Sequence, residues 1–474
     1  MSTNENAPIG VVVIARHGDR TGFFQNPNTY ASTDTGLTPL GEQQNFRLGQ
    51  LLNSIYAADN SSRKIEGLSS IEMVGKQINA TADAGGEGSV IDDSATSLWQ
   101  GFYPPRANIS SITLADGAIV NSPLGGYQYV KIETVLPADD VDFEPFSQCK
   151  TWIARNAEVY NSTEFVARAE QEEPFLEMLR TSGLVGDRTV SLANIYNVFD
   201  YINVQSLHNA TYAAQLNATG EGTLAHVRDL ANYHEYSLFT GSSKGDLGNI
   251  AGRALLSRIF ESLRAFTSED NDVKIAHYHL AYKPFLSLFN MTSIASATNP
   301  SLPYPYAMVE YASLGVFEIR PGGTGSSGYD VRFGFRNGTE TSSDVTYYNL
   351  FGSSSPDTDL NDFASQLEPY VIPNNTAWCN LCENDGSVPA CSEIYLAQQY
   401  EDLAEKYQKI ADGHFTSIGS GFIGACVTIV VMLAGLGALY SLGWVSFGKK
   451  RTQKSDRYPL NEQGSFKGSF STTA

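Results

Sequence analysis

The stretch "VVVIARHGDRTG" at residues 11–22 constrains this chain most. Its first five residues are apolar, and four of them favour strands; Arg16, His17, Gly18, Asp19 and Arg20 follow directly. An unbroken apolar run of this length reads as a strand covered on both faces, the kind a parallel sheet uses. Its end delivers an imidazole and two guanidiniums to one place. Two cations beside a histidine are poor neighbours unless an anion sits among them, and the guanidinium fork fits phosphate. Arg16, His17 and Arg20 are therefore the first candidate site residues, with phosphate as the candidate ligand.

The next segments set that strand in an α/β layout. "LTPLGEQQNFRLGQLLNSIY", residues 37–56, reads as a helix with Thr38 as N-cap and Pro39 in the first turn. Strand, loop and helix in this order predict an α/β layered domain, whose ligands gather at the carboxyl ends of the strands. A second strand is expected in "IEMVGKQINATADAGGEG", and "DSATSLWQGFYPP" reads as a helix that stops before Pro104. Residues 136–250 are helical in pattern and read as an inserted cap. "LGNIAGRALLSRIFESLRAF", residues 247–266, is the clearest amphipathic helix. "VKIAHYHLAYKPF" reads as a strand leading into a loop. "YAMVEYASLGVFEIRPGG" and "YDVRFGFRNGTE" read as paired edge strands, with Asn337-Gly338 as a turn. The expected division is a core in two parts (9–135 and 251–372), the cap (136–250), a cysteine-containing segment with a stalk helix (373–414), a membrane helix (418–447) and a basic tail (448–474).

Charge supports that division. The chain carries −20 overall, which excludes a general nucleic-acid binder. Residues 449–474 hold six Lys/Arg against two Asp/Glu, so the remainder is strongly acidic. Between Phe415 and Gly448 there is no charged residue, and Lys449, Lys450 and Arg451 follow at once. That pattern predicts one C-terminal transmembrane helix, with the tail cytoplasmic and the acidic body extracellular or lumenal. The first ten residues show neither a basic n-region nor an apolar h-region, so no signal peptide is read there. Nine Asn-x-Ser/Thr sequons and the even set Cys149, Cys379, Cys382 and Cys391 favour the outside. Three pairings of those cysteines are open. "CNLC" lacks a second pair at zinc-ligand spacing, so disulfides are expected rather than a metal, and no cofactor is implied.

Taken together, "RHGDR" after an apolar strand resembles the signature of the histidine acid phosphatases, branch two of the histidine phosphatase superfamily. "LTPLGEQQNFRLGQLL" is similar to that family's LTxxGxxQxxxLG segment. "DSATSLWQGFYPP" resembles its following helix, and "VEY" at Val309–Tyr311 and "VRFGFRNG" resemble its late strands. The resemblance covers most of residues 9–372 and implies a phosphoglycerate-mutase-like layered core with a mainly helical cap. It also implies phosphomonoester hydrolysis through a phosphohistidine: His17 as nucleophile, Arg16 and Arg20 as phosphate clamp, and a phosphorylated small molecule as substrate.

The chain departs from the family pattern in three places. Gly22 stands where the signature has proline. The stretch "TADAGGEGSVIDD" ahead of "SATSLWQG" holds no Lys or Arg; a gapless count reaches Val90, and the nearest arginine is Arg106. The family's His-Asp pair should fall in "IAHYHLAYKPF", where either His277 matches the histidine and Tyr278 the acid, or Tyr278 the histidine and His279 the acid. His277 and His279 are thus the candidate proton donors. The alternative is a pseudophosphatase that binds phosphate or a phosphorylated ligand at the same pocket. The acidic body predicts an acidic activity optimum. Oligomeric state is not readable from the sequence.

Overall fold

Strand β1 (Gly10–Arg16) is buried at all seven positions because it lies inside a sheet covered on both faces. In the computed structural model, residues 7–22, 35–85, 89–109, 111–294, 306–322, 325–339, 344–414, 424 and 426–436 are described. The other strands are β2 (Ile78–Ala82), β3 (Ser111–Thr113), β4 (Ile119–Asn121), β5 (Ile132–Glu133), β6 (Ile275–Leu280), β7 (Leu314–Pro321), β8 (Tyr329–Arg336), β9 (Thr346–Tyr348) and β10 (Asp357–Asp359). The main sheet runs β10-β8-β7-β1-β6-β2-β5, with β9 beside β8; β3 and β4 form a separate hairpin. β1, β6, β2 and β5 are parallel, whereas β7 runs antiparallel to β1 and to β8.

This corrects one expectation. β7 and β8 do pair, but β7 is an inner strand beside β1 and β8 is flanked by β7, β9 and β10. Asn337-Gly338 directly follows β8, and Gly338 has φ +71°. Asn337 accepts the Glu310 N–H and the Ser313 hydroxyl.

Alternation along β1 divides the core. Val11, Val13 and Ala15 pack with Leu48 and Leu52 of helix α1 (Pro39–Tyr56) and Leu98 and Phe102 of α2 (Val90–Phe102). Val12 and Ile14 face the opposite layer. That layer holds five helices: α3 (Lys150–Tyr160), α4 (Thr163–Thr181), α5 (Ile195–His208), α6 (Ala210–Ala218) and α7 (Thr223–Phe239). After them come α8 (Ile250–Phe266) and α9 (Lys283–Met291). The apolar stripe of α8, including Leu255, Ile259 and Leu263, belongs to the same cluster. The chain from α3 to α8 therefore fills the long crossover between β5 and β6.

α10 (Leu360–Leu367), α11 (Asn375–Leu381) and α12 (Pro389–His414) follow the sheet. The cysteines pair as Cys149–Cys382 and Cys379–Cys391. Residues up to Leu396 form one compact unit, and Ala397 onward a second. In the second unit Tyr400, Leu403 and Tyr407 are exposed on one helical stripe. Most of the expected membrane segment, 418–447, lies outside the described residues. Residues 426–436 are helical, and among the described residues no helix is long and apolar enough to cross a membrane.

Candidate active site

The loop after β1 is shaped by the start of α1. Thr38 caps that helix through its hydroxyl, which accepts the Gly41 N–H. The same hydroxyl donates to Asp19 Oδ2, and the Thr38 N–H donates to the Asp19 carbonyl at 3.1 Å. Asp19 N–H donates to Gln44 Oε1 at 2.8 Å. Loop and helix touch backbone to backbone. A Cβ on Gly18 would stand 2.5 Å from the Gly41 carbonyl oxygen, and one on Gly41 would stand 2.2 Å from the Asp19 carbonyl oxygen. This is why the strand needs glycine at its end and why the first turn of α1 needs one at position 41. Asp19 is thus a loop anchor, held further by His208 Nε2 of α5 at 2.8 Å.

His17 continues the pleat of β1. Its N–H donates to the Leu280 carbonyl at 3.1 Å, and its carbonyl accepts the Ala312 N–H at 3.0 Å. Its ring Nδ1 lies 2.9 Å from the Gly18 carbonyl oxygen. A carbonyl only accepts, so Nδ1 carries the hydrogen and the lone pair of the neutral ring is on Nε2. The imidazole is 1% exposed.

The two arginines have different surroundings. The Arg16 guanidinium lies 5.1 Å from the Tyr282 ring centroid and 4.5 Å from that of Tyr311, and it donates to the Val309 carbonyl. Such cation–π contacts contribute about 0.5–2 kcal/mol each. Tyr311 also packs on His17, with ring centroids 5.6 Å apart. Arg20 is fully buried and paired with Asp200 of α5, with Nη2 3.0 Å from one oxygen and Nη1 3.4 Å from the other. The chain's own carboxylate thus supplies one of the anions that the charge pattern demanded.

His277 and His279 lie inside β6, in register with Val13 and Ala15 of β1. Trp99 Nε1, which can only donate, reaches His277 Nδ1 at 3.1 Å. His277 must then donate from Nε2 to His279 Nδ1, also at 3.1 Å. Burial pushes the His277 pKa down to about 3. His279 falls well below its ordinary value through burial, then through repulsion from His277 and His17. Neither ring carries a positive charge near neutral pH, so neither has an imidazolium proton to donate.

Across from His17, just past β6, stand Ala281 and Tyr282. The Tyr282 hydroxyl donates to Glu235 Oε2 at 2.6 Å. Burial, then the Glu235 charge, raise Tyr282 well above the usual phenol range. Arg106 lies exposed beyond α2, and Val90, where the resemblance places a third arginine, is buried apolar surface at the start of that helix. Sequence reading missed Asp200, Tyr282 and Tyr311 as site residues. Only Tyr311 carried a signal, the quoted "VEY".

No family model and no curated protein matches the sequence. Solved structures do match the fold. The phytase from Citrobacter braakii superposes with a TM-score of 0.52 at 12% identity, covering 77% of this chain and 98% of that one. The Hafnia alvei phytase in complex with tartrate gives 0.52 at 12% identity, covering 80% and 99%. The same enzyme with myo-inositol hexakis sulphate gives 0.50 at 13% identity over the same shares. Identity this low speaks for the fold alone. The chain has the mixed α/β fold of these phytases.

Proposed function

We propose that this chain is a phosphomonoesterase that works through a phosphohistidine at His17. The observation that carries the reading is the Nδ1–H···O=C bond to Gly18, which leaves the lone pair on Nε2. Nε2 attacks phosphorus in line while guanidiniums stabilise the charge on the non-bridging oxygens. Arg16 and Arg20 supply that charge. The likeness to phytases supports a phosphorylated small molecule as ligand.

A body outside the cytosol fits two features. Its four cysteines form two disulfides, and eight of the nine sequon asparagines are exposed, Asn290 alone being half-buried. The uncharged stretch before Lys449 supports anchoring by a C-terminal helix.

The Arg20–Asp200 pair and Ala281–Tyr282 favour a second reading, a pocket that binds phosphate without turnover. One experiment separates the two. The native chain is mixed with a radiolabelled aryl phosphate, quenched in alkali and compared with His17→Ala. Label that the variant loses supports the enzyme. An unlabelled native chain that is stabilised by phosphate supports the binder.

A further inference from the structure

A second polar group sits at the same end of the sheet. Asp83 follows β2, and its N–H donates to the His279 carbonyl at 2.9 Å. The His17 N–H donates to the next carbonyl, that of Leu280, at 3.1 Å. Consecutive carbonyls of β6 therefore hold Asp83 from one side and His17 from the other. Their backbones lie two strand spacings apart, about 10 Å. Both stand at the carboxyl ends of parallel strands, where ligands of such sheets gather.

Asp83 is 5% exposed. Its Oδ1 accepts the Gly85 N–H at 2.7 Å, and its Oδ2 has no hydrogen-bond partner among the described residues. The charged groups facing it are Glu144, Asp140 and Lys283. Asp140 is held by the N–H groups of Ala84 and Phe143, and Lys283 Nζ lies 3.5 Å from Glu144 Oε1. Three carboxyls thus share one ammonium. Burial, then Glu144 and Asp140, hold the Asp83 pKa well above the usual carboxyl range. The group keeps its proton where an ordinary aspartate has lost it.

We propose that Asp83 is the proton donor to the leaving oxygen; this rests on the reading of His17 as nucleophile. The His17 Nε2 lone pair forms the N–P bond. The P–O bond breaks, and its electron pair goes to the leaving oxygen, which takes the Asp83 proton and departs as an alcohol. The Asp83 carboxylate then accepts a proton from the water whose oxygen forms the new P–O bond; the N–P bond breaks, its electron pair returns to His17 Nε2, and inorganic phosphate leaves with both groups restored. The burial of Asp83 in the unliganded chain is compatible with this role, since catalytic hydrogen bonds tighten in the substrate complex.

The test compares the full chain with Asp83→Asn, which is isosteric with the protonated acid, and with Asp83→Ala as a second variant. Substrates are p-nitrophenyl phosphate, whose leaving group needs little help, and an alkyl phosphate, whose leaving group needs a proton. For both variants kcat on the alkyl phosphate should fall by about 10²–10⁴-fold. The nitrophenyl ester should lose less than about tenfold, on the same reasoning, and still label His17. The basic limb of the native pH–rate profile should vanish. Equal losses on both esters, or none, would overturn the assignment of Asp83 while leaving His17 in place. No label on the native chain would overturn the reading beneath it, and the assignment with it.

Discussion

Two corners of this molecule have the same construction and opposite chemistry. At the β1–α1 corner a parallel strand ends, turns through Gly18 and enters a helix capped by Thr38. At the adjacent β6–α9 corner a parallel strand ends and enters a helix through Tyr282, Lys283 and Pro284. The first corner is a close mesh of backbone contacts that presents an imidazole. The second presents Ala281 and an aromatic ring whose hydroxyl is committed to Glu235. The same backbone plan therefore leaves the side chains at a strand end open: the first corner gathers an imidazole and two guanidiniums, the second a phenol held by a carboxylate.

The clamp gives the largest lever on that comparison. Asp200→Asn should remove the partner of a fully buried arginine and cost about 3–5 kcal/mol of stability. Phosphate should then raise the melting temperature of the variant more than that of the native chain. An equal rise in both would mean that Arg20 does not meet the anion.

Gly18→Ala breaks the first corner directly. The added methyl meets backbone on α1, and the cost should be about 1–3 kcal/mol in urea denaturation. A neutral result would show that the loop is looser than its contacts.

The third prediction concerns pH, and it separates two opposing slopes. Asp140 titrates near 6 when folded, raised first by burial, against about 4 for an ordinary aspartate. Its contribution is complete below pH 4 and is lost as pH rises towards 6. His277 is depressed to about 3, so its contribution is complete above its ordinary value near 6.5 and is lost as pH falls. The native melting temperature should therefore vary little between pH 4 and 6. Asp140→Asn should leave a stability that falls with acid, and His277→Gln one that rises with acid. Each slope should amount to a few kcal/mol at most, about 1–3. Parallel profiles for the two variants would refute the assignment.

The sequence made local structure legible and left distant pairing hidden. Thr38 and Pro39 mark the start of α1 because cap chemistry is confined to a few neighbours. The apolar run before Arg16 identifies an inner strand for the same reason. The Arg20–Asp200 pair spans 180 residues, and nothing near either residue announces the other. β7 reads as an edge strand because alternation reports faces and not neighbours. His277 and His279 looked like donors because the string "HYH" is polar on paper. Their environment is set by Trp99 on another element, which turns them into a neutral hydrogen-bonded pair. The pairing of Cys149 with Cys382 was likewise one of three possibilities until the fold brought them together.

That disulfide has a consequence for how the protein survives damage. It joins the residue before α3 to the residue after α11, 233 positions on, and so closes the helices α3 to α9 with β6, β7 and β8 into a covalent ring. A single protease cut anywhere inside the ring opens it into a linear strand without freeing a fragment. The severed ends stay tethered and can re-form the same packing, because the bond limits how far they diffuse. Under oxidising conditions a nicked molecule should keep its original mass and give two pieces only after reduction.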